Sequence, residues 1–175
     1  MQTLLINKAK VASVLQVAIG TTEAEFNNFI NEAQSFDLKP LLPEAFYFDL
    51  VQNRASEPYV KLLAGGSYMW ENNQIFFDGL ANALAYFTYA RFIHTGPIVS
   101  TSHGVVQKTN PYSEAVPLDE RRSVNLQKKR EGMMIFEDVI KYIERNKAMF
   151  PKYFNNGACE KVQRAGAGFK TSVIK

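Results

Sequence analysis

Apolar positions recur at helical spacing over most of the chain. Asn7 can cap a short helix from Lys8 to about Val17, which Gly20 ends. Thr22 followed by Glu25 forms the pattern of a capping box. Phe26, Phe29, Ile30, Ala33 and Phe36 then mark the buried face of a second helix. Pro40 should kink or end that helix, because it lacks a donor and clashes one turn back. Pro43 suits the first turn of a third helix that carries Phe46, Tyr47, Leu50 and Val51. A short helix from Glu57 to Leu63 is closed by Gly65 and Gly66.

The period then switches. Two β-prone runs, 67–71 and 74–77, flank Asn72 and Asn73, which predicts a hairpin turning at the two asparagines. Its aromatics Tyr68, Trp70 and Phe76 could form a stacking platform, but packing against the next helix is favoured. Asp78 caps that helix, which runs from Gly79 to about Ile93. It is apolar nearly all round, the mark of a buried central element. Arg91 on it should be paired with a carboxylate or a carbonyl, because an unpaired buried charge is expensive. Residues 98–108 read as extended and 110–117 as a loop. The last helix runs from about Asp119 to Ala148 and is stopped by Pro151. The fold class expected is mainly α: a helical bundle around a buried central helix, with a small β-hairpin, an extended β segment and a flexible C-terminal tail. Residues 1–154 make up the helical domain and 155–175 the tail.

The last helix changes character midway. Met133, Phe136, Val139, Ile140, Ile143 and Phe150 form an apolar stripe. Extended toward the N-terminus, the same stripe meets Arg121, Arg122, Asn125, Lys128 and Lys129, with Gly132 at the changeover. Lys and Arg heads are not buried unpaired without a large desolvation cost. The first half is therefore expected not to lie on the chain's own core. It projects into solvent, rotates its faces at a kink at Gly132, or docks on a surface bearing carboxylates or phosphates.

Composition narrows the chemistry. The chain has 175 residues, 46% hydrophobic and 21% charged, as in a single soluble globular domain. The N-terminus is broken by Lys8 and Lys10 and reads as mature protein rather than a signal peptide. No apolar run approaches the roughly 20 residues of a membrane span. The net charge of +3 resides in the tail, where Lys161, Arg164, Lys170 and Lys175 face Glu160 alone. A neutral body argues against a nucleic-acid-binding face, and the cationic stripe carries no aromatics for base stacking. The tail reads either as a frayed terminus or as a segment that orders against a partner or a polyanion. One cysteine, Cys159, precludes an internal disulfide, and His94 and His103 leave little for metal or acid–base work. The run GAGFKT at 166–171 fails the phosphate-loop pattern, because Phe169 separates Gly168 from Lys170. No catalytic residues, cofactor or metal site are assigned.

Several stretches together resemble a known family. They are LKPLL at 38–42, LAGG at 63–66 with the hairpin leading into GLANALAYFTYAR at 79–91, GVVQK at 104–108, YSE at 112–114, and a long helix ending near NKAMFP at 146–151. In this order they resemble the head-to-tail connector (adaptor, neck-ring) proteins of tailed bacteriophages, most of all those of Bacteroidetes-infecting, crAss-like phages. The likeness spans about residues 1–154. It implies a virion structural protein at the head–tail junction, assembled in the host cytoplasm. Such a protein would form a homo-oligomeric ring, commonly a dodecamer, beneath the portal protein. It would meet neighbouring tail or neck proteins, extend the channel for passing DNA without reading its sequence, and have no membrane partner. It would be neither an enzyme nor a cofactor binder. Family members often place an aromatic before the Gly of the Gly-Val-Val segment; His103 stands there in this chain, which puts that contact in doubt.

On this reading the expected subunit and partner contacts are Arg121, Arg122, Lys128 and Lys129 on the helix, Val105 and Val106 in the extended segment, and Lys161, Arg164 and Lys170 in the tail. The alternatives are a small DNA-binding or packaging accessory protein, a tail-completion or tail-terminator protein, and a helical enzyme of unrecognised type.

Overall fold

The structure, a computed structural model, describes residues 3–17, 21–96, 98–101, 104–107 and 116–154. Helix α1 (Lys8–Val14) starts at Asn7, whose side chain accepts from the Lys10 backbone N–H at 2.9 Å. Helix α2 (Glu23–Glu32) begins with the expected capping box: Thr22 Oγ1 accepts from the Glu25 N–H at 3.3 Å, and Glu25 Oε2 from the Thr22 N–H at 3.2 Å.

The helical path deforms around Pro40 and ends just after it, as expected of a proline that kinks or ends a helix. The chain widens into a π-helical turn (Ala33–Leu38), tightens into a 3-10 turn (Lys39–Leu41) that contains Pro40, and becomes extended at Leu42. Proline supplies no N–H, and in the widened turn the preceding Lys39 N–H donates to the Gln34 carbonyl five residues back. Gln34, on this turn, is fully buried. It accepts from the Leu5 N–H at 2.9 Å and donates to the Thr3 carbonyl at 2.9 Å and to the Tyr47 hydroxyl at 3.1 Å, so it ties the N-terminal segment to the body.

Helices α3 (Glu44–Gln52) and α4 (Tyr59–Ala64) lead into the hairpin of β1 (Gly66–Trp70) and β2 (Asn73–Phe77). The hairpin is antiparallel, with Gly66 opposite Phe77 and Trp70 opposite Asn73. Its turn is one residue earlier than expected: Glu71 and Asn72, at φ +48° and +65°, are the loop residues, and Asn73 already belongs to β2. Two positive φ values in a two-residue loop are what the right-handed twist of the strands selects.

Helix α5 (Leu80–Thr95) is the central element, with Leu80, Ala81, Ala83, Leu84, Ala85, Phe87, Thr88 and Ala90 buried. Its N-cap is Gly79, with no side-chain cap, so Asp78 does not perform the expected role and stays exposed. Gly79 (φ +82°) abuts Gly65 (φ +82°): a Cβ on Gly79 would lie 2.3 Å from the Gly65 nitrogen. The hairpin can leave and rejoin the helices at one point only because both residues are glycine.

Beyond α5, β3 (Ile98–Thr101) and β4 (Gly104–Gln107) pair antiparallel with each other and with no other described strand. The extended segment is thus a second two-stranded unit, lying in sequence between α5 and α6. Helix α6 (Leu118–Arg145) runs unbroken for 28 residues, about 42 Å at 1.5 Å per residue. After a 3-10 turn (Lys147–Met149), the short helix α7 (Pro151–Phe154) begins at Pro151. The core is one cluster that joins α2, α3, α4, α5 and α6 to the inner face of the hairpin. The described residues form a mainly helical fold around a buried central helix, with the hairpin expected. The expected tail, 155–175, lies outside them.

Candidate interaction surfaces

The apolar stripe of α6 packs as expected, with Phe136, Val139, Ile143 and, beyond the helix, Phe150 buried. Its cationic continuation does not leave the core. Asn125 Nδ2 donates to the Ala90 carbonyl at 2.7 Å and Arg121 Nη1 to the His94 carbonyl at 3.4 Å, so the first half of α6 lies along α5. Gly132, at the changeover, is buried against the Phe87 ring and does not interrupt the helix.

The cations find partners there. Lys129 Nζ is 3.2 Å from Asp37 Oδ1, and Lys128 Nζ is 2.7 Å from Glu131 Oε2 and 5.6 Å from the centre of the Tyr86 ring. The hydrogen bond to Glu131 raises the Lys128 pKa, and the same bond lowers that of Glu131. Arg121 is buried at the C-terminal end of α5, where helix carbonyls carry partial negative charge. For Lys128 and Lys129 desolvation is offset by carboxylates of the chain itself, whereas Arg121 meets a carbonyl and its buried Nε has no partner among the described residues. Of the four cationic residues expected at an interface, Arg122 alone is exposed; it has a loose pair with Asp119 at 3.9 Å.

Asp37, on the π-helical turn, is a hub. Arg91 donates to it in a fork, through Nε to Oδ2 and through Nη2 to Oδ1 at 3.1 Å. Arg91 Nη1 also reaches Glu32 Oε2 at 3.3 Å. Burial lowers the Arg91 pKa, but the bonds and charge of Asp37 and Glu32 outweigh it and hold the guanidinium charged. The requirement that Arg91 be paired is thus met by residues 54 and 59 positions away.

A second hub, Asp49 on α3, accepts from the Tyr59 hydroxyl, from Asn53 Nδ2 at 2.8 Å and from Lys152 Nζ at 2.6 Å. Together with the Phe46–Tyr153 ring contact (5.2 Å between centroids), this fastens α7 to the body.

The hairpin divides its aromatics. Tyr68 and Phe77 face inward against Tyr142 of α6, with centroids 5.1 Å and 4.3 Å from it. Trp70 lies at the rim, 5.2 Å from the Arg145 guanidinium, and Arg145 Nη1 also donates to the Tyr68 hydroxyl at 2.8 Å. Phe76 is 72% exposed and Met69 67%. The expectation that Tyr68, Trp70 and Phe76 all pack against the central helix is therefore met only in part: Tyr68 packs, on α6, and Phe76 points away. A cleft of about 250 Å³ lies beside β2, lined by Tyr68, Ile75, Phe77 and Arg145 among others.

Sequence reasoning missed the outer face of α6. Arg122, Leu126, Arg130 and Met134 follow one another at four-residue spacing and are all exposed, Leu126 by 56% and Met134 by 67%. The four-residue spacing is present in the sequence, but nothing local shows that the face carrying Arg121, Asn125 and Lys128 turns inward and leaves this one outside.

Val105 and Val106 sit on β4 opposite Ser100 and Val99. Lys161, Arg164, Lys170, Cys159 and His103 lie outside the described residues. Among the described residues no group of His, Cys, Asp and Glu could hold a metal ion, and no helix is long and apolar enough to cross a membrane.

The chain belongs to the DUF6712 family, a family of unknown function whose model matches residues 38–163. No curated protein and no solved structure matches it.

Proposed function

We propose that this chain is a virion structural protein that forms a ring at a phage head–tail junction, binds the portal and the next tail component, and extends the DNA channel. The observation that carries the reading is the distribution of exposed apolar side chains. Met69 and Phe76 lie on the hairpin, Leu126 and Met134 on α6, and Phe36 and Phe48 near the π-helical turn and α3. Exposed apolar groups clustered on several elements are a mark of contact surfaces. A ring subunit needs at least two distinct side faces for its neighbours and further ones for the layers above and below. The two-stranded unit of β3 and β4 supports the same reading, because among the described residues its strands pair only with each other, and a two-stranded hairpin alone is at best marginally stable.

The charge distribution favours the ring over a DNA-binding accessory protein. Arg121, Lys128 and Lys129 are engaged inside the body and are not available as a phosphate-binding stripe. The polar clusters around Asp37 and Asp49 join helix to helix, as structural networks do.

The test is electron microscopy with native mass spectrometry of the purified full chain, alone and mixed with a tailed-phage portal ring. Closed rings of the chain, free or seated on the portal, are the expected result. A chain that stays monomeric in both settings overturns the reading.

A further inference from the structure

Two exposed patches carry matching chemistry. On α6, Leu126 stands between Arg122 and Arg130, four residues before and after it. On the hairpin, Met69 and Phe76 occupy diagonal positions on the outer face, since Ser67 pairs with Phe76 and Met69 with Gln74. That apolar pair is flanked by two exposed carboxylates, Glu71 in the turn and Asp78 just past β2. Arg130, Glu71 and Asp78 make no ion pair among the described residues, and Arg122 has only the 3.9 Å contact with Asp119.

We infer that the Arg122–Leu126–Arg130 ridge of one copy docks on the Met69–Phe76 face of the next copy, with the two arginines meeting Glu71 and Asp78. The occupant is a second copy because the two patches complement each other and neither complements itself. Two ridges face to face would oppose arginine to arginine, and two hairpin faces would oppose carboxylate to carboxylate. The dimensions agree. Arg122 and Arg130 are about 12 Å apart along the helix, at 1.5 Å per residue. Glu71 sits at the tip just beyond the Trp70–Asn73 pair, so its backbone is separated from that of Asp78 by the run from Asn73 to Asp78 and slightly more, about 17 Å or over at roughly 3.4 Å per residue. Long arginine side chains bridge the difference. The composition suits an interface, where arginine and aromatic residues are enriched. One such contact leaves a free hairpin face on the first copy and a free ridge on the second, so in a heterologous arrangement the same contact repeats from copy to copy. The inference rests on the ring reading and deepens it by naming the two side faces.

The experiment uses the full chain under the conditions in which wild type assembles. Leu126→Glu removes the ridge and Phe76→Glu the hairpin face. Both positions are largely exposed, and circular dichroism should show both variants folded. Each variant alone should lose assembly by about tenfold or more in concentration, the effect of removing one interface anchor. Mixed one to one, the two should give a heterodimer by native mass spectrometry and nothing larger, because one good ridge meets one good hairpin face. As a second measurement, Arg122→Glu with Arg130→Glu should block assembly. Adding Glu71→Lys and Asp78→Lys to the same chain should restore it. If either single variant assembles like wild type, or the mixture stays monomeric, the pairing of faces is wrong while the ring reading stands. If wild type itself never assembles, both fall.

Discussion

Gly132 of α6 rests on the Phe87 ring of α5 so closely that a Cβ there would lie 2.8 Å from Phe87 Cε1 and 3.1 Å from Tyr86 Cβ. On helix propensity alone, Gly132→Ala should stabilise by about 1 kcal/mol. Overpacking a tight contact costs about 1–3 kcal/mol, and the Phe87 ring is held by the core on its other side. The expected sign is therefore reversed: Gly132→Ala should lower stability by about 1–2 kcal/mol in chemical denaturation. A stabilised variant would show that the two helices can part without loss.

Asp37 joins the π-helical turn to α5 and α6 through Arg91 and Lys129. Removing it leaves Arg91, 22% exposed at its side chain, without its forked partner. Asp37→Ala should cost about 2–4 kcal/mol, below the full penalty for a buried pair because Lys129 and Glu32 are partly solvated. Lys129→Met should cost much less, since Arg91 and Asp37 still pair. Equal losses in urea titrations would mean that Lys129, not Arg91, is the main partner.

The capping box at Thr22 and the apolar stripe of α6 were legible in the sequence because each is decided by residues within a few turns of one another. Arg91 was legible as a charge that needs a partner, but Asp37 could not be named, lying 54 residues away on a turn that the sequence presents as an ordinary proline stop. For Lys129 the same reason holds, since its counter-charge lies 92 residues earlier in the chain, whereas the Lys128 partner Glu131 stands three residues on and was open to reading. The hairpin turn lies one residue earlier than the asparagines suggest, and the alternation could not decide it: Tyr68 and Phe77 share a face whether the loop is 71–72 or 72–73.

The Asp49 cluster should give stability a dependence on pH at both ends. Burial pushes the Asp49 pKa up, but the bonds from Lys152 and Tyr59 more than reverse this and lower it. A lowered carboxyl contributes stability that is present above the unfolded value of about 4 and is lost as pH falls through the folded value. Tyr59 is shifted the other way, raised well above the ordinary phenol range by burial and then by Asp49. Its contribution is present below about pH 10 and is lost above it. The denaturation midpoint should fall on both sides of neutrality. Asp49→Asn should flatten the acid limb, and Tyr59→Phe should reduce the slope of the alkaline one. Unchanged limbs would show that the cluster does not titrate with folding.

Phe77 is 6% exposed and stacks on Tyr142, 4.3 Å between centroids at 16° between planes. Phe77→Ala should cost about 3–5 kcal/mol and free the hairpin. Hydrogen exchange should then rise first in β1 and β2. A uniform rise across the helices would mean that hairpin and body unfold as one unit.

Helix α6 reaches from the end of α5 nearest the β3–β4 unit to the hairpin, and its sole interior glycine is clamped by Phe87. A strut with its weakest joint locked does not flex when loaded. Displacement imposed at one end would be delivered to the other as whole-body tilt, so the surfaces at the two ends of this molecule should move together.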